Sequence, residues 1–135
     1  MISLPHPVRV FLHTPPTDLR KGFDALSGLV TTAFSQDPTS GHLFLFVNRR
    51  RDRLKILYWD RDGLAIWYKR LETGSFQLPL ITRDATSIEM TPTQLSLILS
   101  GIDLHSARQR KRYQRPMSEA RKSIDVNIYD PMIVL

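Results

Sequence analysis

Residues 41–71, GHLFLFVNRRRDRLKILYWDRDGLAIWYKRL, are the most informative stretch of this chain for its fold. Three apolar, aromatic-rich segments, residues 43–48, 53–59 and 64–71, alternate with two turns that are rich in Arg and Asp. Such segments are typical of β-strands, and Asp62-Gly63 is typical of a tight reversal in which the glycine takes a positive φ. The stretch therefore predicts a three-stranded antiparallel meander with a cationic turn.

The first strand of this meander is apolar at every position from Leu43 to Val47. A strand of this kind favours the centre of a sheet that is covered on both faces, so we expect either a helix on each face or a sheet that curls upon itself. In the second hairpin, closure at residues 59–64 would put Lys55 on the same face as Tyr68, and Ile56 on the same face as Trp67.

The segments on either side of the meander predict one helix each. Before it, residues 8–12 read as a short strand, and a helix capped by Thr17 or Asp18 runs to about Phe34. Its predicted buried stripe is Phe23, Leu26, Val30 and Ala33.

After the meander, residues 86–90 could form another short strand, and a second helix begins beyond it. Thr91 is the predicted cap of that helix, Pro92 its first residue and Gln94 the capping-box partner of Thr91. Leu95, Ile98 and Leu99 form the expected buried face, and Gly101 ends the helix. The predicted fold is α+β, with an antiparallel meander of three to five strands packed against two main helices.

Composition limits the class of protein. The chain has 135 residues and no cysteine, which predicts one packed domain without disulfides or cysteine zinc sites. Because there is no apolar run near 18 residues and no leader-like start, we expect a cytoplasmic protein with no membrane association.

The net charge of +6 is unevenly distributed. Residues 1–104 hold 12 Lys or Arg against 10 Asp or Glu, whereas residues 105–122 hold seven basic residues against Glu119 alone. We therefore divide the chain into a domain, residues 1–104, and a basic C-terminal arm, residues 105–135, that is partly disordered or becomes ordered on a partner. Within the arm, the predicted DNA-contacting residues are Arg108, Arg110, Lys111, Arg112 and Arg115. A solubilising tail is the alternative interpretation.

Within the domain, the best candidate for binding phosphate is the first turn of the meander. We assign DNA-contacting roles there to Arg49, Arg50, Arg51 and Arg53, and to Lys55 on the strand that follows. Arg20 and Lys21 join them because cations at a helix start are favourable when an anion docks there. The alternatives are a charged turn that is merely exposed to water and an ion pair of these cations with Asp18 or Asp24.

Four aromatic residues of the meander have two possible roles. They can stack on nucleic-acid bases, but aromatic side chains in strands more often pack in a core or across strands. We favour packing for this set: Tyr58, Trp59, Trp67 and Tyr68.

Three strings resemble one known family: VRVFLHTPPTDLRKGFDALSGLV, DPTSGHLFLFVNRRRDRLKILYWDRDGLAIWYKRLETGSF and MTPTQLSLILSGID. Together they resemble the small TnpB-type accessory protein of bacterial insertion sequences of the insertion sequence 66 type. The resemblance runs from about residue 2 to residue 103 and implies a protein that is encoded beside a separate transposase and assists transposition, with the transposase as partner and no established catalytic activity of its own. Residues from 104 onward lie outside the shared pattern.

A catalytic site is not predicted. Asp60, Asp62, Glu89 and Asp103 could bind divalent metal in a nuclease, but their positions are ordinary for turns, and no histidine pair, nucleophile motif or glycine-rich loop accompanies them. We therefore expect no catalytic residues, metal or cofactor. The leading hypothesis is an accessory protein that binds DNA, the second is a module that docks on the transposase, and the third is the metal-dependent nuclease.

Overall fold

A computed structural model describes residues 7–79 and 84–101 of the chain. In this part the elements follow in the order β1 (Val10–His13), α1 (Phe23–Ala33), β2 (Leu43–Val47), β3 (Arg53–Asp60), β4 (Gly63–Arg70), β5 (Ser87–Met90) and α2 (Pro92–Ser100). The predicted α+β class is confirmed. The predicted arm, residues 105–135, lies outside the described residues.

The five strands form one sheet in the order β4-β3-β2-β1-β5. The meander β2-β3-β4 is antiparallel as predicted, and its second hairpin has the predicted pairing, with Lys55 opposite Tyr68 and Ile56 opposite Trp67. β5 pairs with β1 in antiparallel orientation, which confirms the extra strand. β1 and β2 are parallel, because the chain returns through α1 before it enters β2.

Strand β2 lies at the centre of the sheet and is buried along its whole length. On one face, Leu45 packs in a cluster with Leu95 and Ile98 of α2. On the other, Phe44 packs with Leu26 and Val30 of α1. Each face of the sheet therefore packs against one helix, as the uninterrupted apolar strand predicted.

Helix α1 begins later than the sequence indicated. Its N-cap is Gly22, which contributes no side-chain capping bond, and the predicted caps Thr17 and Asp18 precede the helix. The reason is a tertiary contact: the N–H of Thr17 donates to the carbonyl of Val47 (2.9 Å), so this part of the chain is fastened to the sheet. Phe23 is 49% exposed, and the prediction that it lies on the buried stripe is wrong.

The turn between β3 and β4 also differs from its prediction. Gly63 does not take the positive φ; Arg61 does, at φ 57°, and the N–H of Asp62 donates to the carbonyl of Asp60 (2.6 Å). The connection is therefore a two-residue turn, Arg61-Asp62, and Asp60 and Gly63 are already paired across the two strands.

Helix α2 agrees with its prediction in every respect. The Thr91 hydroxyl accepts from the N–H of Gln94 (3.1 Å), while the Gln94 side chain accepts from the N–H of Thr91 (2.9 Å), which completes the capping box. Gly101 ends the helix in the left-handed conformation, at φ 84°.

In the part of the chain that the structure describes, no helix is both long and apolar enough to cross a bilayer.

Candidate functional site

One end of the sheet collects most of the candidate cations of the domain. β1 and β2 are parallel and therefore finish at the same end, so the loop after β1, residues 14–22, and the turn after β2, residues 48–52, lie side by side. The bond from the Thr17 N–H to the Val47 carbonyl (2.9 Å) joins the loop to the strand that leads into the turn. The topology thus brings together two basic segments that are 28 residues apart in sequence, Arg20 and the turn that begins at Asn48.

Between this loop and this turn lies a cleft of about 610 Å³, which we call the basic cleft. Its lining includes four arginines, Arg20, Arg49, Arg50 and Arg53, against two aspartates, Asp18 and Asp52. Thr17, Asn48 and Tyr68 also line it. The lining is therefore net positive, and it combines candidate residues that the sequence had placed in separate segments.

The turn that carries Arg49 and Arg50 is held by the side chain of Asn48. Its Oδ1 accepts from the backbone N–H groups of Asp52 (3.1 Å) and Arg53 (3.0 Å), and its Nδ2 donates to Asp52 Oδ1 (2.6 Å). The N–H of Arg51 donates to the Asn48 carbonyl (3.0 Å). One asparagine thus accepts from three backbone N–H groups of the turn and holds the backbone that carries the two exposed arginines.

The far side of the turn is fastened to the segment after β4. The carbonyl of Arg51 accepts from the N–H of Phe76 (2.6 Å), and the carbonyl of Asp52 accepts from the N–H of Leu71 (2.7 Å). Arg51 has a positive φ of 59° and does not line the cleft. The turn is therefore held on both sides, with Arg49 and Arg50 facing the cleft.

Arg20, which lines the cleft, forms an ion pair with Asp18. Its guanidinium bonds to Asp18 through Nε (3.0 Å) and Nη2 (2.6 Å), and these bonds lower the pKa of Asp18 to about 2. The predicted alternative of an Asp18 ion pair is therefore observed. The side chain of Arg20 is nevertheless 91% exposed, so it remains accessible to a ligand while the pair limits its rotamers.

Lys55 and Lys21 connect the loop to the sheet beside the cleft without lining it. Lys55 Nζ donates to the Lys21 carbonyl (3.0 Å) and lies 4.9 Å from the centroid of the Tyr68 ring. Lys55 therefore holds the end of the loop against β3 and β4, and a cation–π contact keeps it over Tyr68.

Arg53 has a like charge directly across the sheet, since it pairs with Arg70 in the β3-β4 register. Like charges in this arrangement are unfavourable. Arg70 is compensated by Glu72, with Nη2 to Oε1 at 2.9 Å. Arg53, like Arg49 and Arg50, forms no ion pair with any side chain of residues 7–79 or 84–101. This leaves three uncompensated guanidinium groups at the cleft.

The carboxylates proposed for a nuclease do not assemble. Asp60 and Asp62 belong to the β3-β4 turn, whereas Glu89 lies on the edge strand β5 and pairs with Arg9 (2.6 Å). β2 and β1 lie between β3 and β5, so the axes of β3 and β5 are about 14 Å apart at the usual strand spacing. Across the described residues, no three His, Asp or Glu side chains are grouped to hold a metal ion. Asp103 lies outside that part of the chain.

The aromatic residues of the meander divide into two groups. Tyr58 and Trp67 pack against the α2-side core, which agrees with the packing interpretation, and the Trp59 indole donates to the Arg61 carbonyl (3.1 Å). Tyr68 differs: it is 48% exposed and lines the basic cleft. For this residue alone, the structure supports an accessible ring.

Two residues of the site were not anticipated from the sequence. Thr17 is buried at the floor of the loop, and Asn48 organises the turn. The sequence contained a signal for the asparagine, because Asn side chains often hydrogen-bond the nearby backbone in turns. No local sequence pattern pointed to Thr17, because its burial depends on a contact with β2. The predicted arm residues, Arg108, Arg110, Lys111, Arg112 and Arg115, lie outside the described residues.

Comparison with known proteins supports the resemblance stated above. The family model described as IS66 Orf2 like protein matches residues 8–109. Uncharacterized protein y4jC of Sinorhizobium fredii (strain NBRC 101917 / NGR234) is 36% identical over 120 residues, which cover 89% of this chain and 100% of the relative. Uncharacterized protein y4hO of the same organism is 38% identical over 96 residues, 71% of this chain and 82% of the relative. No solved structure gives a significant match. The chain therefore belongs to the IS66 Orf2-like family, a family associated with the transposition of insertion sequences.

Proposed function

We propose that this protein is a non-catalytic accessory factor of transposition that binds DNA phosphates in the basic cleft. The observation that carries the proposal is the convergence of Arg49, Arg50 and Arg53, which have no ion-pair partner among the described residues, with Arg20 across a single cleft. Family membership supplies the context of transposition. The cytoplasm, where bacterial DNA lies, is the compartment that this function requires.

The rigidity of the turn supports this role. Asn48 and the bonds to Leu71 and Phe76 fix the backbone that carries Arg49 and Arg50 before any ligand binds. A prepared site loses less conformational entropy on binding than a flexible loop does. The fixed backbone therefore favours a ligand-binding role for these arginines over the alternative, a turn that is charged only because it is exposed to solvent.

The proposal includes a second, weaker set of contacts outside the cleft. Lys21, Arg51 and Lys55 flank it, and the arm contributes its basic residues, Arg108, Arg110, Lys111, Arg112 and Arg115. Six to eight phosphate contacts would make the logarithm of affinity for duplex DNA fall with the logarithm of salt concentration at a slope of roughly −5 to −7. Because phosphate contacts carry no direct sequence information, the preference among duplex sequences should be weak.

A docking module for the transposase is the second candidate, and strand β4 is the observation that favours it. β4 has eight residues and lies at the edge of the sheet, so one side of its backbone has no partner strand in the described structure. An edge of this length can accept a strand from another protein. In that case DNA binding would belong to the complex with the transposase.

The two candidates can be distinguished with the purified full-length protein. Fluorescence anisotropy with element-end DNA and a scrambled duplex, over a salt series, would give the affinity and the slope. A variant with all five arm residues named above changed to Gln would be compared with the wild type. DNA binding that survives in the arm variant supports the cleft. Binding that disappears with the arm would assign it to the arm, and no binding by either protein would favour docking on the transposase.

A further inference from the structure

We propose that the basic cleft holds one unpaired nucleotide of a DNA strand, with its phosphate against the arginines and Thr17 and its base against Tyr68. This inference rests on the proposed DNA binding and makes it more specific, since it predicts a preference for single strands over duplex. Three features of the cleft carry it: a hydroxyl without a partner, an exposed aromatic ring and a limited volume.

Thr17 provides the first feature. The residue is 6% exposed and lines the cleft, yet its Oγ1 has no hydrogen-bond partner among the residues that the structure describes. A buried hydroxyl without a partner is costly, and native proteins usually avoid one. A phosphate oxygen held in the cleft by the neighbouring arginines would accept a hydrogen bond from this hydroxyl and remove that cost.

Tyr68 provides the second feature. It is 48% exposed, in contrast to Tyr58 and Trp67 of the same meander, which pack against the core. Lys55 Nζ lies 4.9 Å from the ring centroid, so the ring lies beside a cationic group. An accessible aromatic ring beside cationic groups is the arrangement by which proteins bind single-stranded nucleic acid, because every base has a face that can stack.

The volume of the cleft is the third feature. At about 610 Å³ it falls in the range of pockets for single small molecules, roughly 300–1,000 Å³. A duplex can touch only the rim of such a cleft, because its bases are stacked inside the helix and are unavailable to Tyr68. An extruded or unpaired nucleotide can present a phosphate and a base face together.

Two pairs of variants of the full-length protein test the inference. Tyr68→Leu removes the aromatic face and Tyr68→Phe keeps it; Thr17→Val removes the hydroxyl and Thr17→Ser keeps it. Affinity would be measured by fluorescence anisotropy with an eight-residue thymidine oligonucleotide and with a duplex. Thymidine monophosphate and inorganic phosphate would serve as competitors, which separates a strand from a free nucleotide or a free anion as the ligand.

We expect Tyr68→Leu to bind the oligonucleotide about tenfold more weakly, while Tyr68→Phe resembles the wild type. Thr17→Val should also bind the oligonucleotide more weakly, and its melting temperature should not fall, because it removes an unpartnered buried hydroxyl. Thr17→Ser should retain binding.

Four results would overturn the inference, and the last of them would also overturn the proposed function. Equal affinity of Tyr68→Leu and Tyr68→Phe for the oligonucleotide would show that the ring does not stack on a base. If inorganic phosphate displaces the oligonucleotide as effectively as the mononucleotide does, the cleft is only an anion site. If the wild type binds duplex with a steep salt dependence but shows no preference for the oligonucleotide, the inference fails and the proposed function stands. If it binds neither, both fail.

Discussion

The backbone N–H of Thr17 donates a 2.9 Å hydrogen bond to the carbonyl of Val47. This bond joins the loop after β1 to the last residue of β2, just before the turn that carries Arg49 and Arg50. It fastens the segment that leads to Arg20 beside the arginine turn, and the two segments line one cleft. It also explains why the chain around Thr17 is not helical, since its backbone is bonded to the sheet.

Asn48→Ala should destabilise the domain and weaken DNA binding, although the substitution leaves the net charge of the protein unchanged. The substitution leaves the N–H groups of Asp52 and Arg53 without their acceptor, which costs about 1–3 kcal/mol when such groups cannot reach water. Urea unfolding followed by circular dichroism measures the free energy of unfolding. Arg49→Gln is the matched control in the same turn, and it should change that free energy by less than about 0.5 kcal/mol. Equal stability of the two variants would show that Asn48 does not hold the turn.

Leu26→Ala and Phe23→Ala should differ strongly in stability although both residues belong to α1. Leu26 is fully buried against Phe44, so its truncation should cost about 2–5 kcal/mol through the cavity it leaves. Phe23 is half exposed and should cost less than about 1 kcal/mol. Denaturant unfolding of both variants checks the difference. Similar losses would contradict the observed start and orientation of α1.

Thr91→Ala should destabilise the protein by about 1 kcal/mol, because it removes the acceptor for the Gln94 N–H and breaks the capping box. Thr93→Ala, two residues further along on the exposed side, is the matched control and should be nearly neutral. Thermal unfolding provides the comparison. If Thr93→Ala lowers the melting temperature as much as Thr91→Ala does, the cap does not stabilise α2.

His13 should make the stability of the protein depend on pH in the mildly acidic range. Burial lowers the pKa of His13 below its usual value of 6.5, and its Nδ1 has no hydrogen-bond partner in the described structure. Below about pH 6.5 the unfolded chain therefore binds a proton more readily than the folded chain does. Stability is complete above that pH and falls as the pH drops toward the lower pKa of the folded state.

The measurement for His13 is the melting temperature of the wild type and of His13→Gln between pH 8 and pH 5. The wild type should lose more stability than the variant over this interval, since the variant lacks the titrating group while the other histidines are the same. Parallel curves would show that His13 titrates alike in the folded and unfolded chain.

The sequence was sufficient for those parts of the fold in which local chemistry and burial agree. The apolar run of β2 predicted a central strand, and the Thr91, Pro92 and Gln94 sequence predicted α2 with its cap. The sequence was insufficient where a contact between residues far apart in the chain determines the local structure. Phe23 has the spacing of a buried residue but lies at the first position of α1, where it is half exposed.

The candidate site was predictable in its composition and not in its arrangement. Arg20, Arg49, Arg50 and Arg53 were identified as candidate cations from their clustering, and the structure places all four on the cleft. That Arg51 lies outside the cleft follows from its positive φ and from its carbonyl bond to Phe76, neither of which has a local signal in the sequence. The cleft itself depends on the parallel pairing of β1 and β2, which brings the loop and the turn to the same end of the sheet.

Binding of DNA phosphates in the basic cleft should be visible in the salt dependence of DNA affinity. The full-length wild type would be compared with the double variant Arg49→Gln, Arg50→Gln and with Arg61→Gln, which changes an exposed arginine at the opposite end of the β3-β4 hairpin. We predict that the double variant binds duplex DNA more weakly and that its log-log salt slope is less steep by about 2, while Arg61→Gln matches the wild type. An unchanged affinity and slope in the double variant, or an equal loss in Arg61→Gln, would contradict the account.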